Sequence, residues 1–426
     1  MKPRILIENG LLFTGSAQDK AACRNIFIEH GCITSISANS IDVPADTQII
    51  DATGKWITPG FVDSHTHYDG ELIASPGLKE SARHGVTTIL LGSCSVSAIY
   101  NSPEDTSDTF TRVEAIPREV MLPLLEKEKT WSTPSEWVDY INRLPLGVNI
   151  ASFIGHSDLR SKVMGMERSV TDNEVATTAE QVEMNDMLNE ALDAGFLGMS
   201  TMDNPWDKMD GDKYWSHKTP SFYGSWKERK PLLNTLRQRE AILQGAPSLV
   251  TRLNAVRYMA ISTGIFRKRL KTTLIAMMDL IADRMIMPLV ASGVKLFNRL
   301  GNADFRMQTP PTPFTVYYDG VDSVMFEEFP AGEAMRHLAK NLDERNAMIK
   351  EPEFREVFKA EIKKKYGPKV WHRDLSLTVI LQCPDQTVVG KNFMEVASER
   401  ELHPVDAFLD LIVEYDKQIR WTSTIA

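Results

Sequence analysis

From about residue 59 onward, short apolar runs alternate with helical stretches, and this alternation constrains the fold more than any other feature of the chain. Residues 61–65, 148–156 and 196–200 are apolar runs that end in polar residues, and residues 86–91 form a further apolar run. Residues 177–194 carry apolar residues at helical spacing. Strands that alternate with helices form parallel β/α units. At this length the favoured closure is a (β/α)8 barrel of the TIM type.

Residues 1–58 show a different pattern, in which short alternating runs are separated by glycine turns. This predicts a small antiparallel β unit at the N-terminus, followed by the barrel in residues 59–426. The second half of the barrel region is less regular. We expect helices over residues 251–300, later strands at 314–318 and 377–381, and a solvent-exposed outer helix over 342–365.

Composition excludes several classes of protein. Of the 426 residues, 42% are hydrophobic and 25% charged, which is typical of a globular protein and not of a disordered chain or a coiled coil. The formal net charge of −9 provides no basic field that would attract nucleic acid. We therefore predict no nucleic-acid partner.

Three features bear on the cellular location. The apolar run at the N-terminus stops at Glu8, which argues against a signal peptide. Residues 272–295 are apolar, but two aspartates, an arginine and a proline interrupt them, which argues against an integral membrane segment. Residues 267–299 are basic and amphipathic, so a membrane-surface contact is the alternative to helices that cover a barrel. Four scattered cysteines without a CxxC pair indicate a reduced protein, and we predict a cytoplasmic location.

The motif His65-Thr66-His67 is the strongest local signal of chemistry. Residues two apart on a strand point to the same side, so both imidazoles can bind one metal ion. At the carboxyl end of a first barrel strand, the two rings would open onto the face where barrels place their active sites.

The sequence around this motif resembles the amidohydrolase superfamily, and further motifs narrow the resemblance to its N-acyl-D-amino-acid deacylase family. The four motifs are Ile-Thr-Pro-Gly-Phe-Val-Asp-Ser-His-Thr-His-Tyr-Asp at residues 57–69, Gly-Val-Thr-Thr-Ile-Leu-Leu-Gly-Ser-Cys-Ser at 85–95, Gly-His-Ser-Asp-Leu-Arg at 155–160, and Ala-Gly-Phe-Leu-Gly-Met-Ser-Thr at 194–201. The resemblance covers most of the chain and is strongest over residues 55–201. It implies a metal-dependent (β/α)8 barrel with a small N-terminal β unit.

The resemblance also implies the ligands of the metal. In this family a cysteine at the position of Cys94 is a metal ligand, and with His65 and His67 it would bind one or two Zn²⁺ ions. A bound zinc ion would hold the Cys94 thiol as a thiolate. The remaining cysteines, Cys23, Cys32 and Cys383, are interpreted as ordinary residues.

Two residues of the third motif are candidates for further roles. His156 would be a catalytic residue, as a ligand or by orienting the substrate, or else a histidine hydrogen-bonded to neighbouring backbone. Arg160 would bind a substrate carboxylate through its two-pronged guanidinium, and the alternative is a structural ion pair with Asp158 or another acid.

The sequence departs from the family pattern in two places. Residues 241–276 contain none of the histidines that the family supplies from its fifth and sixth strands, and Lys271, near the expected position, is a candidate for binding a carboxylate or, if carbamylated, metal. The family's aspartate motif of the eighth strand is also missing, which leaves Asp374 and Asp385 as substitutes for the catalytic base. We expect that the chain is truncated and lacks the last strands of the barrel.

One loop, residues 204–215, would follow the fourth strand on the active-site face. Its aspartates, among them Asp207, resemble part of a calcium loop but lack the later glutamate. The loop is interpreted as a surface loop, with a substrate lid as the alternative.

These observations predict a zinc-dependent amidohydrolase that cleaves the amide C–N bond of N-acyl amino acids, D-amino acids in particular, through a zinc-activated water. A cyclic-amide hydrolase of the dihydroorotase or hydantoinase type is one alternative, and a non-catalytic barrel or inactive fragment is another. A homo-oligomer is compatible with the sequence.

Overall fold

The computed structural model describes residues 3–16, 18–364 and 369–426. Internal contacts divide the chain into two units, Met1–Asp63 with Lys79–Thr88, and Ser64–Leu78 with Ile89–Ala426. The chain therefore leaves the first unit after the first barrel-type strand and returns to it once. The division into residues 1–58 and 59–426 remains a prediction.

The first unit is built on a mixed β-sheet. The sheet contains β1 (Ile5–Leu12), β2 (Ala22–Glu29), β3 (Cys32–Ser37), β4 (Gln48–Asp51) and β5 (Trp56–Ile57). The strand β6 (Phe61–Asp63) also lies in this unit, and β7 (Val86–Leu91) begins in it. The pairs β1–β2 and β2–β3 are antiparallel, as predicted, and His30 and Gly31, with φ of 56° and 83°, form the turn between β2 and β3. However, β4 and β5 lie parallel to β1. The connection before β4 carries the chain from β3 to the other side of β1, and β5 then continues in the same direction as β4 along β1.

The second unit contains a parallel sheet whose strands follow one another in chain order. Its strands are β9 (Ile154–Gly155), β10 (Gly198–Met202), β11 (Ile242–Ala246), β12 (Lys271–Leu274) and β13 (Asp304–Met307). The short strand β8 (Asn149–Ser152) precedes them and is not part of this sheet. Within it, β9 to β13 form one sheet in which every neighbouring pair is parallel. Parallel strands that neighbour each other in sequence order are the arrangement of a (β/α) barrel.

Helices connect and follow these strands. Those described are α1 (Asp69–Ala74), α2 (Lys79–Arg83), α3 (Pro103–Phe110), α4 (Arg118–Glu128), α5 (Pro134–Ile141), α6 (His156–Met164), α7 (Met166–Ser169), α8 (Thr178–Asp193), α9 (Pro220–Tyr223), α10 (Trp226–Gln238), α11 (Arg252–Ser262), α12 (Ile286–Leu300), α13 (Pro330–His337), α14 (Leu342–Lys350), α15 (Pro352–Lys363), α16 (Phe393–Glu399) and α17 (Pro404–Tyr415). The predicted helix over 177–194 is α8: Thr177 caps it in a capping box with Glu180, and Met184, Leu188 and Ala191 bury one face.

A third sheet changes the interpretation of the two later strands. β14 (Thr315–Asp319) and β15 (Thr378–Gln382) both pair antiparallel with β16 (Arg420–Thr424). They therefore form a separate antiparallel sheet and do not extend the parallel one. An aromatic core stabilises it, in which the ring of Tyr318 stacks on that of Trp421 with centroids 3.9 Å apart.

Two helical predictions are also corrected. Residues 251–300 contain α11 and α12, but the strand β12 lies between them. Residues 342–365 form two helices, α14 and α15, because Pro352 cannot continue the hydrogen bonding of α14 and instead starts α15. Lys365, the end of that prediction, lies outside the described residues. None of the helices described combines the length and apolar character needed to cross a membrane.

Candidate metal centre

The His65-Thr66-His67 motif lies directly after β6 and is anchored by its central residue. Thr66 is buried, and both its backbone N–H and its hydroxyl donate to the carbonyl of Leu90, at 3.1 and 2.8 Å. Because Thr66 points into the protein, the two histidines share the opposite side. Their Nε2 atoms are 3.2 Å apart, so the motif brings its imidazoles together as its spacing predicts.

Cys94 reaches the same point from a strained turn after β7. Cys94 and Ser95 have φ of 51° and 72°, and Gly92 just before them has φ of 68°. Such φ values are costly for residues with side chains. The turn is held by hydrogen bonds from Cys94 N to Gln244 Oε1 and from Ser95 N to Ser200 Oγ, at 3.1 and 3.0 Å. It places Cys94 Sγ 3.2 Å from His65 Nε2.

The ligand atoms of His65, His67 and Cys94 all lie within 4.8 Å of one another. Zinc–nitrogen bonds of about 2.0–2.1 Å and zinc–sulfur bonds of about 2.3 Å give ligand-to-ligand distances of about 3.3–3.6 Å in a tetrahedral site. The distances from His65 Nε2 to His67 Nε2 and to Cys94 Sγ, both 3.2 Å, are close to these ligand-to-ligand distances. This donor set therefore fits a divalent metal ion, with zinc favoured by its sulfur and two nitrogens.

Two glutamines determine which nitrogen of His65 faces the cluster. Gln308 Oε1 lies 2.9 Å from His65 Nδ1, and its amide nitrogen donates to the carbonyl of Ser64 at 3.1 Å, so the oxygen is the atom that faces the ring. Gln244 Nε2 is 3.2 Å from the same Nδ1. A ring nitrogen can satisfy only one of these contacts, and the shorter one, with Gln308, requires a proton on Nδ1. Nε2 then carries no proton and can act as a metal ligand.

Three carboxyl groups surround the cluster, and none of them was predicted as a site residue. Glu114 Oε1 is 3.5 Å from His67 Nε2, and Asp69 and Asp207 are buried. Burial raises the pKa of Glu114 to about 7; burial and the charge of Glu114 raise the pKa values of Asp69 to about 7 and of Asp207 to about 8. Burial lowers the pKa of His67 to about 4.

The Cys94 thiol responds to the same surroundings. Burial, together with the charges of Asp207 and Glu114, raises its pKa well above the usual range. Negative charge around a buried thiol disfavours the thiolate, so a cation is needed to hold Cys94 in its ligating form.

His156 follows β9 at the start of α6 and is fully buried. Its Nδ1 is 3.0 Å from Ser221 Oγ, and its Nε2 has no hydrogen-bond partner among the described residues. Burial and the charges of Arg229 and Arg160 lower its pKa well below the usual range. It is not one of the three residues whose ligand atoms converge, and its catalytic role stays a prediction.

Arg160 lies in α6 and is engaged within the protein. Its Nε donates to Glu228 at 2.9 Å, and its two terminal nitrogens donate to the backbone carbonyls of Ser169, Pro220 and Glu174. This geometry favours the structural ion pair over a carboxylate-binding role. The partner is Glu228 and not Asp158, which instead accepts hydrogen bonds from Ser97, Ile99, Tyr100 and Asn101.

Lys271 and Asp374 lie elsewhere. Lys271 is the first residue of β12 and is exposed, in register with the first residues of β11 and β13, Ile242 and Asp304, whereas barrel sites lie at the carboxyl ends. Asp374 is exposed and caps the 3-10 turn Leu375–Leu377 by accepting from Ser376. Asp385 likewise accepts from Thr387 and pairs with Arg400. The structure does not bring Lys271 or Asp374 into the described cluster, and their roles stay predictions.

Some of the site residues that were not predicted carried a usable signal in the sequence, and others did not. Gln308 directly follows β13, so a polar residue at the end of a strand was a usable signal for it, whereas Gln244 lies in the middle of β11. Asp207 lies in the loop after β10 that stood out by its aspartates. Glu114 follows α3 in an irregular turn, and no sequence pattern marks it.

Comparison with known proteins agrees with this arrangement. The sequence matches the amidohydrolase family over residues 48–213. The uncharacterized protein Mb2937c of Mycobacterium bovis is 43% identical over 428 residues, which cover 99% of this chain and 69% of that protein. The N-acyl-D-aspartate deacylase of Alcaligenes xylosoxydans xylosoxydans is 34% identical over 153 residues, which cover 36% of this chain and 28% of that enzyme.

A solved structure extends the comparison to the fold. The N-acyl-D-glutamate deacylase from Bordetella bronchiseptica, in complex with zinc and a phosphonate mimic of the tetrahedral intermediate, superposes with a TM-score of 0.59 at 17% identity, covering 100% of this chain and 72% of that one. This confirms the predicted fold class, an α/β fold of the amidohydrolase barrel type. With both sequence and fold in agreement, the chain belongs to the amidohydrolase family.

Proposed function

We propose that this chain is a metal-dependent amidohydrolase that cleaves the amide bond of N-acyl amino acids, with D-amino acids as the favoured class. The convergence of His65, His67 and Cys94 carries the proposal. The partial similarity to an N-acyl-D-aspartate deacylase supports the choice of substrate class. The substrate is a small molecule.

The protein's own residues would bind and orient the metal. His65 and His67 would bind through Nε2 and Cys94 through its thiolate, while Gln308 holds the proton on His65 Nδ1. A bound Zn²⁺ ion would supply Lewis acidity toward the amide carbonyl and would lower the pKa of water. We propose one zinc ion at this cluster, and a second would need ligands beyond these three residues.

For proton transfer and for substrate binding, we propose candidate residues only. Amide hydrolysis needs a group that moves a proton from water to the leaving amine. His156 and Asp374 are our candidates from the sequence, and Arg160 and Lys271 are the candidates for binding the substrate carboxylate. Their positions in the structure make Arg160, with its guanidinium already engaged, and Lys271, at the amino end of β12, the weaker candidates.

The proposal is tested by metal content and by turnover. The purified protein is loaded with zinc, dialysed, and analysed by elemental mass spectrometry, and then assayed with N-acetyl-D- and L-amino acids and with cyclic amides. We expect about one zinc per chain and hydrolysis of the D-series. The matched variants are His67→Asn and His30→Asn; His30 is an exposed turn residue with φ of 56°, a conformation that asparagine tolerates.

The outcomes separate the alternatives. Loss of zinc and of hydrolysis in His67→Asn, with both retained in His30→Asn, supports the proposal. Turnover of cyclic amides alone would favour the dihydroorotase or hydantoinase type. A folded, zinc-loaded protein without turnover of either class would favour a non-catalytic barrel, and a wild type that binds no zinc would rule out the metal centre.

A further inference from the structure

Glu114 places a carboxylate at the edge of the His65–His67–Cys94 cluster. Its Oε1 lies 3.5 Å from Nε2 of His67, and its side chain is 26% exposed, against 13% for His67. No other side-chain hydrogen bond or ion pair of this carboxylate is found in the described part of the chain. The group is therefore both close to the cluster and free to turn toward it.

The contact is too long for a good hydrogen bond. N–H···O bonds have donor–acceptor distances centred at about 2.9–3.0 Å, whereas neighbouring nitrogen and oxygen ligands of a tetrahedral ion are about 3.3 Å apart, from the zinc–ligand bond lengths. The 3.5 Å separation is thus closer to that between two ligands of one ion. In addition, Nδ1 of His67 is buried and has no partner among the described residues, so nothing there directs the proton of the ring.

The net charge of the site also favours a carboxylate beside the three ligands. Two neutral imidazoles and one thiolate leave a divalent ion with a net charge of +1 in a largely buried place, which is costly. One carboxylate would bring that sum to zero. Of the carboxylates around the cluster, Glu114 is the one with an oxygen within 4 Å of a cluster nitrogen among the described residues.

The backbone that carries Glu114 is held in position. Glu114 N donates to Phe110 O at 3.1 Å, and Ile116 N donates to Thr111 O at 2.9 Å. Arg112, two residues earlier, is buried and donates to Glu327 at 2.8 Å. The turn after α3 therefore presents Glu114 from a rigid support, and only side-chain rotation is needed for its oxygen to approach the ion.

We propose that Glu114 is a carboxylate ligand of the metal ion bound by His65, His67 and Cys94. This inference rests on the metal centre of the proposed function. It adds a fourth protein ligand from the segment after α3, so that a water bound for hydrolysis would make the ion five-coordinate. Glu114 is outside the set of atoms that all lie within 4.8 Å of one another, so binding of the ion draws the carboxylate inward.

The test measures metal affinity directly. Zinc dissociation constants are determined by competition with a chromophoric chelator for the wild type, Glu114→Gln and the control Glu119→Gln; Glu119 is an exposed residue of α4 five positions away. We expect the dissociation constant to rise by at least about tenfold in Glu114→Gln, the lower range for losing even an outer partner of a metal ligand, and to be unchanged in Glu119→Gln. The d–d absorption of bound Co²⁺ should also change in Glu114→Gln alone.

The possible failures are distinguishable. Equal zinc affinity and an equal Co²⁺ spectrum in Glu114→Gln would overturn the role of Glu114 and leave the three-residue centre intact. Weakening by Asp207→Asn and not by Glu114→Gln would transfer the role to Asp207 and overturn the inference. A wild type without zinc would remove both this inference and the proposed function. If circular dichroism shows that Glu114→Gln is unfolded, Glu114→His replaces it; because histidine is also a metal ligand, affinity within a few-fold of the wild type is expected, and a loss as large as that of His67→Asn would count against a ligand at this position.

Discussion

At the scale of single residues, the site depends on a turn that few residues can adopt. Gly92, Cys94 and Ser95 all have positive φ, and a Cβ at Gly92 would lie 1.9 Å from the carbonyl oxygen of Phe153. The backbone N–H groups of Cys94 and Ser95 donate hydrogen bonds to Gln244 Oε1 and Ser200 Oγ, and these bonds hold the turn in place. The orientation of the Cys94 side chain therefore depends on Gln244 and Ser200 as well as on its own backbone conformation.

The first prediction concerns this turn. Gly92→Ala should lower the free energy of unfolding by about 2–5 kcal/mol, because it adds a steric clash to the backbone strain. Gly195→Ala is the control: Gly195 also has positive φ, but its Cβ would meet nothing within 4 Å, so a loss of only about 1–2 kcal/mol is expected. Denaturant unfolding of both variants measures the two losses of stability. Equal decreases in the free energy of unfolding would contradict the close approach of Gly92 to Phe153.

The second prediction concerns Asp207. Burial first, then the charges of Glu114 and Glu327, raise its pKa from 3.8 to about 8. Because the folded protein holds this proton more tightly than the unfolded chain, Asp207 favours folding below about pH 4, and this contribution is lost as the pH rises through 8. In chelator-treated protein, the contribution of Asp207 to the free energy of unfolding should fall between about pH 4 and pH 8. The fall should be at most about 1.4 kcal/mol per pH unit. Unfolding of Asp207→Asn across the same range should show a smaller slope, and an unchanged slope would refute the assignment.

At the scale of elements, a buried ion cluster joins segments that are distant in sequence. Glu327, in the 3-10 turn Val324–Glu328, pairs with Arg112 after α3, with Arg336 in α13 and with Lys208 in the loop after β10, at 2.8, 3.1 and 2.9 Å. Burial alone would raise the pKa of Glu327, but these three cations hold it below its usual range. The cluster thus supports the segments that carry Glu114 and Asp207.

The third prediction removes this central charge. Glu327→Gln should lower stability at pH 7 by about 3–5 kcal/mol, since it leaves buried cations without their partner. Glu333→Gln, which removes a half-exposed partner of Lys208, should cost under about 1 kcal/mol. The difference between the two variants should begin to shrink as the pH falls below the ordinary pKa of a glutamate, where the unfolded chain takes up a proton. It should continue to shrink until the pH falls through the lower pKa of Glu327 in the native protein. Thermal and denaturant unfolding at pH 7 and at pH 3–4 measure both effects.

At the scale of the whole molecule, metal binding should appear as global stability. An ion that binds the folded state and not the unfolded one stabilises it by about 2.7 kcal/mol when its free concentration is 100 times the dissociation constant. The three ligands come from the segments after β6 and after β7, and their glutamine partners come from β11 and from the segment after β13. One ion would therefore tie together much of the second unit.

The fourth prediction follows from this linkage. Zinc added to chelator-treated protein should raise the thermal midpoint in a concentration-dependent way, because binding shifts the folding equilibrium. His67→Asn should lose this response, whereas His30→Asn should keep it. Differential scanning calorimetry over a zinc titration provides the measurement, and a similar rise in both variants would locate the zinc outside the cluster.

Elements defined by local sequence patterns were predicted correctly, whereas pairings between residues distant in sequence were not. The alternation after residue 59 predicted the parallel sheet, since a β/α unit is a local pattern, and the capped helix α8 was found in the same way. The strand β12 was missed, because only four residues form it between two helices. The strands β14 and β15 were recognised as strands, but their antiparallel pairing with β16 joins residues up to about a hundred positions apart, which no local pattern encodes.

The sequence by itself determined that His65 and His67 face one side, because their separation of two residues on an extended chain is a local property. The anchoring of Thr66 to Leu90, 24 residues away, is already a tertiary contact. Only the tertiary structure decided that Gln308, 243 residues away, orients His65, that Arg160 is occupied by Glu228, and that Glu114 lies beside His67. These contacts exist only once the strands are assembled and the loops at their carboxyl ends meet. Spacing along the chain sets which residues can act as neighbours within an element, whereas packing of the elements sets which distant side chains share a site.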